Sequence, residues 1–597
     1  MKTLSFGSKD FLQGISPLQQ QQNSVGGFFA KASGIDLYRN LGKISPGIKP
    51  TSVADLARTN VKCITTANSK IYAHTTSELI NVTDDVVHTF TTLRNNISAP
   101  TATYAHSVFV DSLAFPNYFS DGTPIPNTTQ SKKCIIYFTD THLGFYNIDP
   151  ITIPTGTGST TTVSSMFFDT LNTNINQLPT SPLKAFDFVG YESQWKGTWS
   201  SSTSYTSGQK VLYNNHTYQA QANSTNVTPG TNPSIWYLDD NTGLNTFRPA
   251  NFNLLNPGPH KAVLFDKKYF FTNGIYVSWF DPHGELFTIP FGKFSANSDS
   301  IYAPNDYIFY DIVPDRNRLL CFASNGYKTV MMPWDGKSAT PDETTYIDDA
   351  NISAAGILNG IPHILTTGKS TGHSLRKRNY AGYSQVNLIT EVSTANHSCL
   401  DSLNTMAVLT GTNTNKVFTY GSPIQNDTRT ADGVPQFPDA LHCPYITTGS
   451  TNISLLTTDN KLYTASNFND DTTKIESFTL SPTTSTNYNK NSTFQTNFFQ
   501  LPDDSTIEFI RFVILPPATG AAFTPTLYTD FSTSAVWTGA DLTASNLDAN
   551  GKSKTYYDIG SICDNFAIGG SWANSSDTYP ANSIIITRID VGYHSKS

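Results

Sequence analysis

Residues 199–220 read WSSSTSYTSGQKVLYNNHTYQA, flanked by YESQWKG before and SIWYLDD after. Aromatic rings at this density can do one kind of chemistry directly. A flat ring face stacks against the apolar C–H patch of a sugar, and Tyr adds a hydroxyl. Few other stretches could react. TTGKSTG (366–372) has the tail of a phosphate-binding loop, but His363 stands where the leading Gly is required. NFNDDTTKIE (467–476) clusters oxygen ligands without the sixth-position Gly or twelfth-position Glu of a calcium loop, so a solvated turn is expected. Asp342 with Glu343, and Asp348 with Asp349, are adjacent pairs; neighbours on a strand point to opposite faces and do not make a glycosidase pair. No HExxH, GxSxG or S-x-D-x-G-x-T-W motif occurs, so the sequence calls for no cofactor, metal or catalytic residue. The basic run LRKRNY (375–380) is expected to be a solvated loop.

The elements that must position these residues follow from composition. The chain has 597 residues and only 14% charged side chains, well below the roughly 25% of an average soluble protein. Aromatics reach 12%, amid abundant Thr, Ser and Asn. Thr, Tyr, Phe, Val and Ile suit pleated, half-buried surface, while Asn, Gly, Ser and Asp suit tight turns. The expectation is an all-β protein with little helix. The formal net charge of −8 argues against a nucleic-acid binder. The amino terminus MKTLSFGSKDFLQG lacks an apolar run suited to a signal peptide, and no stretch approaches a membrane span. Cys63, Cys134, Cys321, Cys399, Cys443 and Cys563 are far apart, with no CxxC, and are expected to be buried free thiols.

A short unit recurs: a turn residue, a basic residue, then an apolar and aromatic strand. It appears as NSKIYAHT, SKKCIIYFT, DKKYFFTNG, NRLLCFAS, NKVFTYG and NKLYTAS, marked by Lys70, Lys133, Lys268, Arg318, Lys416 and Lys461. Lys268 and Arg318 are 50 residues apart, and Lys416 and Lys461 are 45 apart. Arg318 and Lys416, 98 apart, leave room for a degenerate unit near PHILTTGKS (362–370). Lys133 and Lys268, 135 apart, predict two units plus an insertion. A period of this size in an all-β chain predicts a β-propeller of four-stranded blades. Six to eight units fit, and seven is the expected number. The period ends near residue 480, and TIEFIRFVILPP, TPTLYTDFS, SKTYYDIG and SIIITRIDVGY then predict an antiparallel C-terminal β-sandwich or clamp. The expected domains are 1–60 (arm and first propeller strands), 61–190 (first blades), 191–240 (insertion), 241–480 (remaining blades) and 481–597.

The insertion resembles the small chitin- and cellulose-binding carbohydrate modules. Trp199, Tyr205, Gly208, Val211, Tyr213, Tyr218, Ala220 and Trp236 match the frame W-x-S-x-T-x-Y-x-x-G-x-x-V-x-Y-x-x-x-x-Y-x-A with its closing Trp. In that family, exposed aromatics soon after the Y-x-A strand form the sugar platform. The corresponding segment here, QANSTNVTPGTNPS, has none. Trp195, Tyr191 and Tyr237 are the remaining candidates for a glycan or partner surface. The chain as a whole, from the opening GGFFAKASGIDLYRNLGKISPGIKP through the repeats to the C-terminal strands, resembles structural proteins of tailed bacteriophages, in particular tail-nozzle and tail-tip proteins. That resemblance implies a non-enzymatic virion protein located in the tail. Its partners would be copies of itself in a ring and other tail proteins, with DNA only as transiting cargo. A host adhesin binding cell-surface glycan is the alternative, and a polysaccharide-degrading enzyme a third reading.

Overall fold

The computed structural model describes residues 1–15, 28–89, 105–115, 130–169, 195–238, 259–283, 293–294, 300–389, 399–421, 440–479, 492–573 and 584–595, short stretches inside those spans excepted. The chain divides into two compact units. One comprises Asn60–Ile352, the other Met1–Thr59 together with Ser353–Ser597.

The Asn60–Ile352 unit carries four antiparallel sheets in chain order, besides the insertion. The first joins Cys63–Ala67, Lys70–His74, Glu78–Asn81 and Val86–Thr89. The second joins Ala105–Phe115, Gln130–Thr139, His142–Pro154 and Thr160–Asp169. The third joins Ala262–Phe265, Lys268–Asn273 and Tyr276–Asp281, whose outer edge carries both Lys293–Phe294 and Ile301–Tyr302. The fourth joins Ile308–Asp315, Arg318–Ser324, Thr329–Trp334 and Thr345–Ile347. Apart from Ile301–Tyr302, which pairs back onto Tyr276–Asp281, each strand pairs with the next along its sheet, which is the blade architecture of β-propellers.

The turn-plus-basic motif has a physical cause. Asn68 and Ser69, and again Asp266 and Lys267, take positive φ as the two central residues of a tight hairpin. Such a turn matches the right-handed twist of the flanking strands. The strands that follow bury their aromatic faces. Phe270 meets Trp334 edge-on at 5.4 Å, inside a core that also holds Trp279, Cys321 and Met332.

In the other unit, a fifth sheet runs through Asn351–Leu358, Ile361–Thr367, His373–Asn379 and Gly382–Ile389, starting at the boundary between the units. A sixth joins Cys399–Leu403, Met406–Thr410, Lys416–Gly421 and Ala440–Ile446. The seventh joins Thr451–Thr458, Lys461–Asn469 and Thr472–Thr479, and takes its fourth strand, Thr51–Leu56, from the amino-terminal part of the chain. That pairing covers what would otherwise be an open sheet edge.

The repeat markers are therefore not all equivalent. Lys70, Lys268, Arg318 and Lys461 each open the second strand of a sheet, and Lys133 lies within one. Lys416 instead opens a third strand, because Met406–Thr410 takes the second place without a basic residue. The degenerate unit near 362–370 is Ile361–Thr367, the second strand of the fifth sheet. Between Lys133 and Lys268 the described residues hold the insertion and no further four-stranded sheet. Strands of 10 to 13 residues in the second sheet take up some of the extra length.

The final strands form one continuous ten-stranded sheet that also recruits the amino terminus. Its path is Lys2–Phe6, Ile586–His594, Phe499–Ile514, Ser561–Ala573, Thr493–Thr496 and Phe29–Ser33, with Ala522–Thr529 and Ser553–Tyr556 paired alongside. The sixteen-residue strand Phe499–Ile514 explains the continuity. Its first half pairs with Ser561–Ala573 and its second with Ile586–His594, with bulges where the partners change. Phe6, Phe494, Phe512, Phe523, Phe566 and Trp572 fill the core beneath.

The glycines of the opening segment have a packing reason. A Cβ on Gly34 would lie 2.6 Å from the Ile446 side chain, and one on Gly47 would lie 2.1 Å from the Pro444 carbonyl oxygen. Both let this segment lie flush on the strand Ala440–Ile446.

Two expectations about polar stretches change. LRKRNY is mostly strand rather than loop: Leu375 is fully buried and the Arg376 guanidinium donates to Thr366 Oγ1 at 3.1 Å. In NFNDDTTKIE, 467–469 and 472–476 belong to two paired strands rather than a loop, and 470–471 lie outside the described residues. Thr473 and Glu476 are buried, and Glu476 accepts from the Thr448 amide at 2.8 Å.

Candidate functional site

The insertion folds as a four-stranded sheet in the order Trp195–Thr198, Lys210–Tyr213, His216–Ala220, Trp236–Leu238, with a two-stranded ribbon of Ser204–Tyr205 and Ser224–Thr225. Its core consists of Tyr205, Val211, Ala220 and Trp236, with Trp199, Tyr218, Val227 and Ile235 packed against it. Tyr205 and Trp236 meet edge to face at 5.3 Å, and Trp199 meets Tyr213 at 5.4 Å. The Trp236 indole donates to the Val227 carbonyl at 2.7 Å, and the Tyr205 hydroxyl accepts from the Ser200 amide at 2.8 Å. The matched aromatics are thus the frame of the unit. Gly208 takes φ of 90°, a conformation L side chains avoid, and its amide donates to the Ala220 carbonyl at 2.7 Å.

The segment 221–234 serves that frame. Ser204 and Thr225 exchange a hydroxyl contact at 2.8 Å, Val227 accepts the Trp236 bond, and Asn232 Oδ1 accepts from the Ser234 amide at 3.0 Å. It offers no aromatic platform.

Of the three candidates for ligand contact, Tyr237 is directly placed. It alternates with buried Trp236 on the same strand, so it points outward and is 54% exposed. Tyr191 lies outside the described residues. Trp195 is described in its backbone but not in its side chain. The pairing still relates two of the candidates: Trp195 is opposite Lys210, Lys210 opposite Gln219, and Gln219 opposite Tyr237. One row across the sheet therefore has an aromatic position at each end. Three steps between strands put those ends about 14 Å apart. Sequence reasoning missed Lys210 and Gln219. The signal available was strand alternation, since both are one residue away from buried Val211 and Ala220.

Elsewhere, Asp342 and Glu343 are exposed in the loop between Trp334 and Thr345, while Asp348 and Asp349 lie outside the described residues. Among the described residues, no group of three or more His, Cys, Asp or Glu side chains is placed to hold a metal ion. No described helix is long and apolar enough to cross a membrane. Cys63, Cys134, Cys321, Cys443 and Cys563 are buried free thiols; the Cys399 side chain lies outside the described set.

No family model matches the chain, and no curated protein matches it. Solved structures similar to it include the Dos1 propeller, at 8% identity and a TM-score of 0.33, covering 72% of this chain and 95% of that one. The C-terminal WD40 domain of Sif2 is similar at 11% identity and a TM-score of 0.33, covering 73% and 99%. Raptor from Chaetomium thermophilum is similar at 7% identity and a TM-score of 0.34; the match covers 72% of this chain but only 29% of Raptor. Likenesses this distant say nothing about what the chain binds.

Proposed function

We propose that the chain is a non-enzymatic structural subunit of a bacteriophage tail, a nozzle or tail-tip component that packs with copies of itself in a ring around the DNA exit channel. In this reading the seven sheets are seven blades of one propeller. The ten-stranded sheet serves as a sandwich-like clamp, and the insertion is a projecting knob. The observation that carries the reading is the seating of described residues 28–37 and 42–47 of the opening GGFFAKASGIDLYRNLGKISPGIKP segment. This is the part of the sequence that resembles phage tail proteins. Gly34 and Gly47 fit it closely onto Ala440–Ile446, and its neighbouring strands complete both the seventh sheet and the ten-stranded sheet. A net charge of −8 suits a conduit that must not grip phosphates. Electron microscopy of assembled particles, with the chain tagged, tests this. A ring at the tail end is expected; absence of the chain from particles, or a strictly monomeric chain in them, overturns it.

A second reading, a host adhesin for cell-surface glycan, is favoured by the exposed Tyr237 and its register with Gln219, Lys210 and Trp195. A glycan array probed with the full chain tests it. Binding lost in both Tyr237→Ala and Trp195→Ala supports the adhesin; no binding to any glycan leaves the structural role alone.

A further inference from the structure

One of the buried thiols sits in a different chemical setting from the others. Burial pushes the Cys134 and Cys321 thiols well up, and burial with the nearby Asp530 and Asp564 pushes Cys563 up to about 12. Cys63 opens the first strand of the first sheet, and its Sγ lies 3.7 Å from Nδ1 of His106, at the start of the second sheet. The other ring nitrogen of His106, Nε2, lies 3.3 Å from the carbonyl oxygen of Ala262, which opens the third sheet. A carbonyl can only accept, so Nε2 carries the proton and Nδ1 turns its lone pair toward the thiol. The Ser107 hydroxyl contacts Sγ from the same strand at 3.7 Å. Burial alone would push this thiol up, but the positive charge that His106 carries once it has taken the thiol proton, and its hydrogen bond, aided by Ser107, bring it below its ordinary value.

A thiol, a base and a carbonyl that orients the base are the parts that activate a cysteine. The other groups nearby do not quench them. His74, opposite Cys63 in register on the neighbouring strand, is held neutral, its pKa lowered to about 3 by burial and by His106. Lys261, beside Ala262, is paired with Asp311 at 3.0 Å. Lys62 and His106 beside it are only half-buried, and Cys63 itself keeps 8% of its surface exposed.

We propose that Cys63 is a modification site, a nucleophilic thiol that small uncharged hydroperoxides oxidise. The reagent class follows from the burial: a charged reagent entering this setting would lose its hydration without a partner. In the reaction the Cys63 proton passes to His106 Nδ1, and the thiolate attacks one peroxide oxygen. An S–O bond forms and the O–O bond breaks. The departing hydroxide, or alkoxide from an organic hydroperoxide, takes the proton back from His106 and leaves as water or alcohol. Cys63 becomes a sulfenic acid, oxidised by two electrons, as the peroxide is reduced.

The test treats the full chain with hydrogen peroxide, traps sulfenic acid with dimedone, and follows each cysteine peptide by mass spectrometry across a pH series. Cys63 is expected to react at least about tenfold faster than Cys134 or Cys321, with a pH profile displaced to lower pH than an ordinary thiol's. His106→Gln should slow Cys63 by about tenfold or more and move its profile toward that of an ordinary thiol. Equal rates at Cys63 and Cys321 in the native chain, or an unchanged rate in His106→Gln, overturn the proposal. If His106→Gln unfolds, shown by new reactivity at Cys134 and Cys321, the wild-type profile decides. A Cys63 rate that rises only where ordinary thiols ionise also overturns it.

Discussion

The insertion and the ten-stranded sheet solve the same problem, burying aromatic side chains between strands, from opposite starting points. The insertion draws its frame from one contiguous run, Trp195–Leu238, and closes around a core of four residues. The ten-stranded sheet pairs Lys2–Phe6 with Ile586–His594, from the two ends of the chain, over a core rich in Phe that also holds Trp572. A small core makes each aromatic indispensable locally. A sheet built from distant strands makes each buried ring answer for the whole unit.

The largest expected effect separates these two cases. Trp572 is 1% exposed, packs on Phe523 at 4.8 Å and donates to the Ile584 carbonyl at 2.9 Å. Trp572→Ala should cost about 3–5 kcal/mol and lower the denaturation midpoint of the unit that contains it. Trp236→Ala removes as large a ring, but limited proteolysis should find the new cleavage confined to the insertion. Global unfolding by Trp236→Ala, or local damage only by Trp572→Ala, would break the comparison.

Acid should next divide the insertion from the unit that contains the ten-stranded sheet. His442, on the strand against which the opening segment packs, is held neutral by burial, its pKa lowered from 6.5 to about 3. The unfolded chain takes up a proton there first. The stability this neutral ring contributes is present above about pH 6.5 and lost progressively as pH falls toward about 3, at about 1.4 kcal/mol per pH unit. His442→Gln should flatten that slope in denaturant melts at a series of pH values. The core of the insertion holds only Tyr, Val, Ala and Trp, so its protease resistance should not follow that slope.

The smallest effect concerns one hydroxyl. Tyr205→Phe removes the acceptor of the Ser200 amide while keeping the ring against Trp236. About 1 kcal/mol should be lost, seen as faster amide exchange at Ser200 and its neighbours. A larger loss would mean that the hydrogen bond, not the ring packing, holds the frame.

How much was legible follows the same division. The frame residues of the insertion were readable because their partners lie within about forty positions, at strand alternation. The hairpins were readable from Asn68 and Asp266, since Asn and Asp are among the few residues that tolerate positive φ. The Lys416 marker misled because a basic residue after a turn occurs at the second strand of some sheets and the third of another. LRKRNY looked like solvent-facing loop because long basic side chains can extend from a paired strand, whose backbone bonds leave no trace in composition. The row from Trp195 to Tyr237 required strand register, which alternation alone does not supply.

The sequence by itself determined the local physics: all-β composition, tight turns, a repeating blade-sized unit and one inserted module with its own aromatic frame. Only the tertiary structure decided which distant pieces complete each other. Thr51–Leu56 finishes the seventh sheet, Lys2–Phe6 borders the last strand, and Cys63 meets His106. Backbone hydrogen bonding between strands is blind to side-chain identity, so pairing across hundreds of residues is set by packing and register, not by any motif.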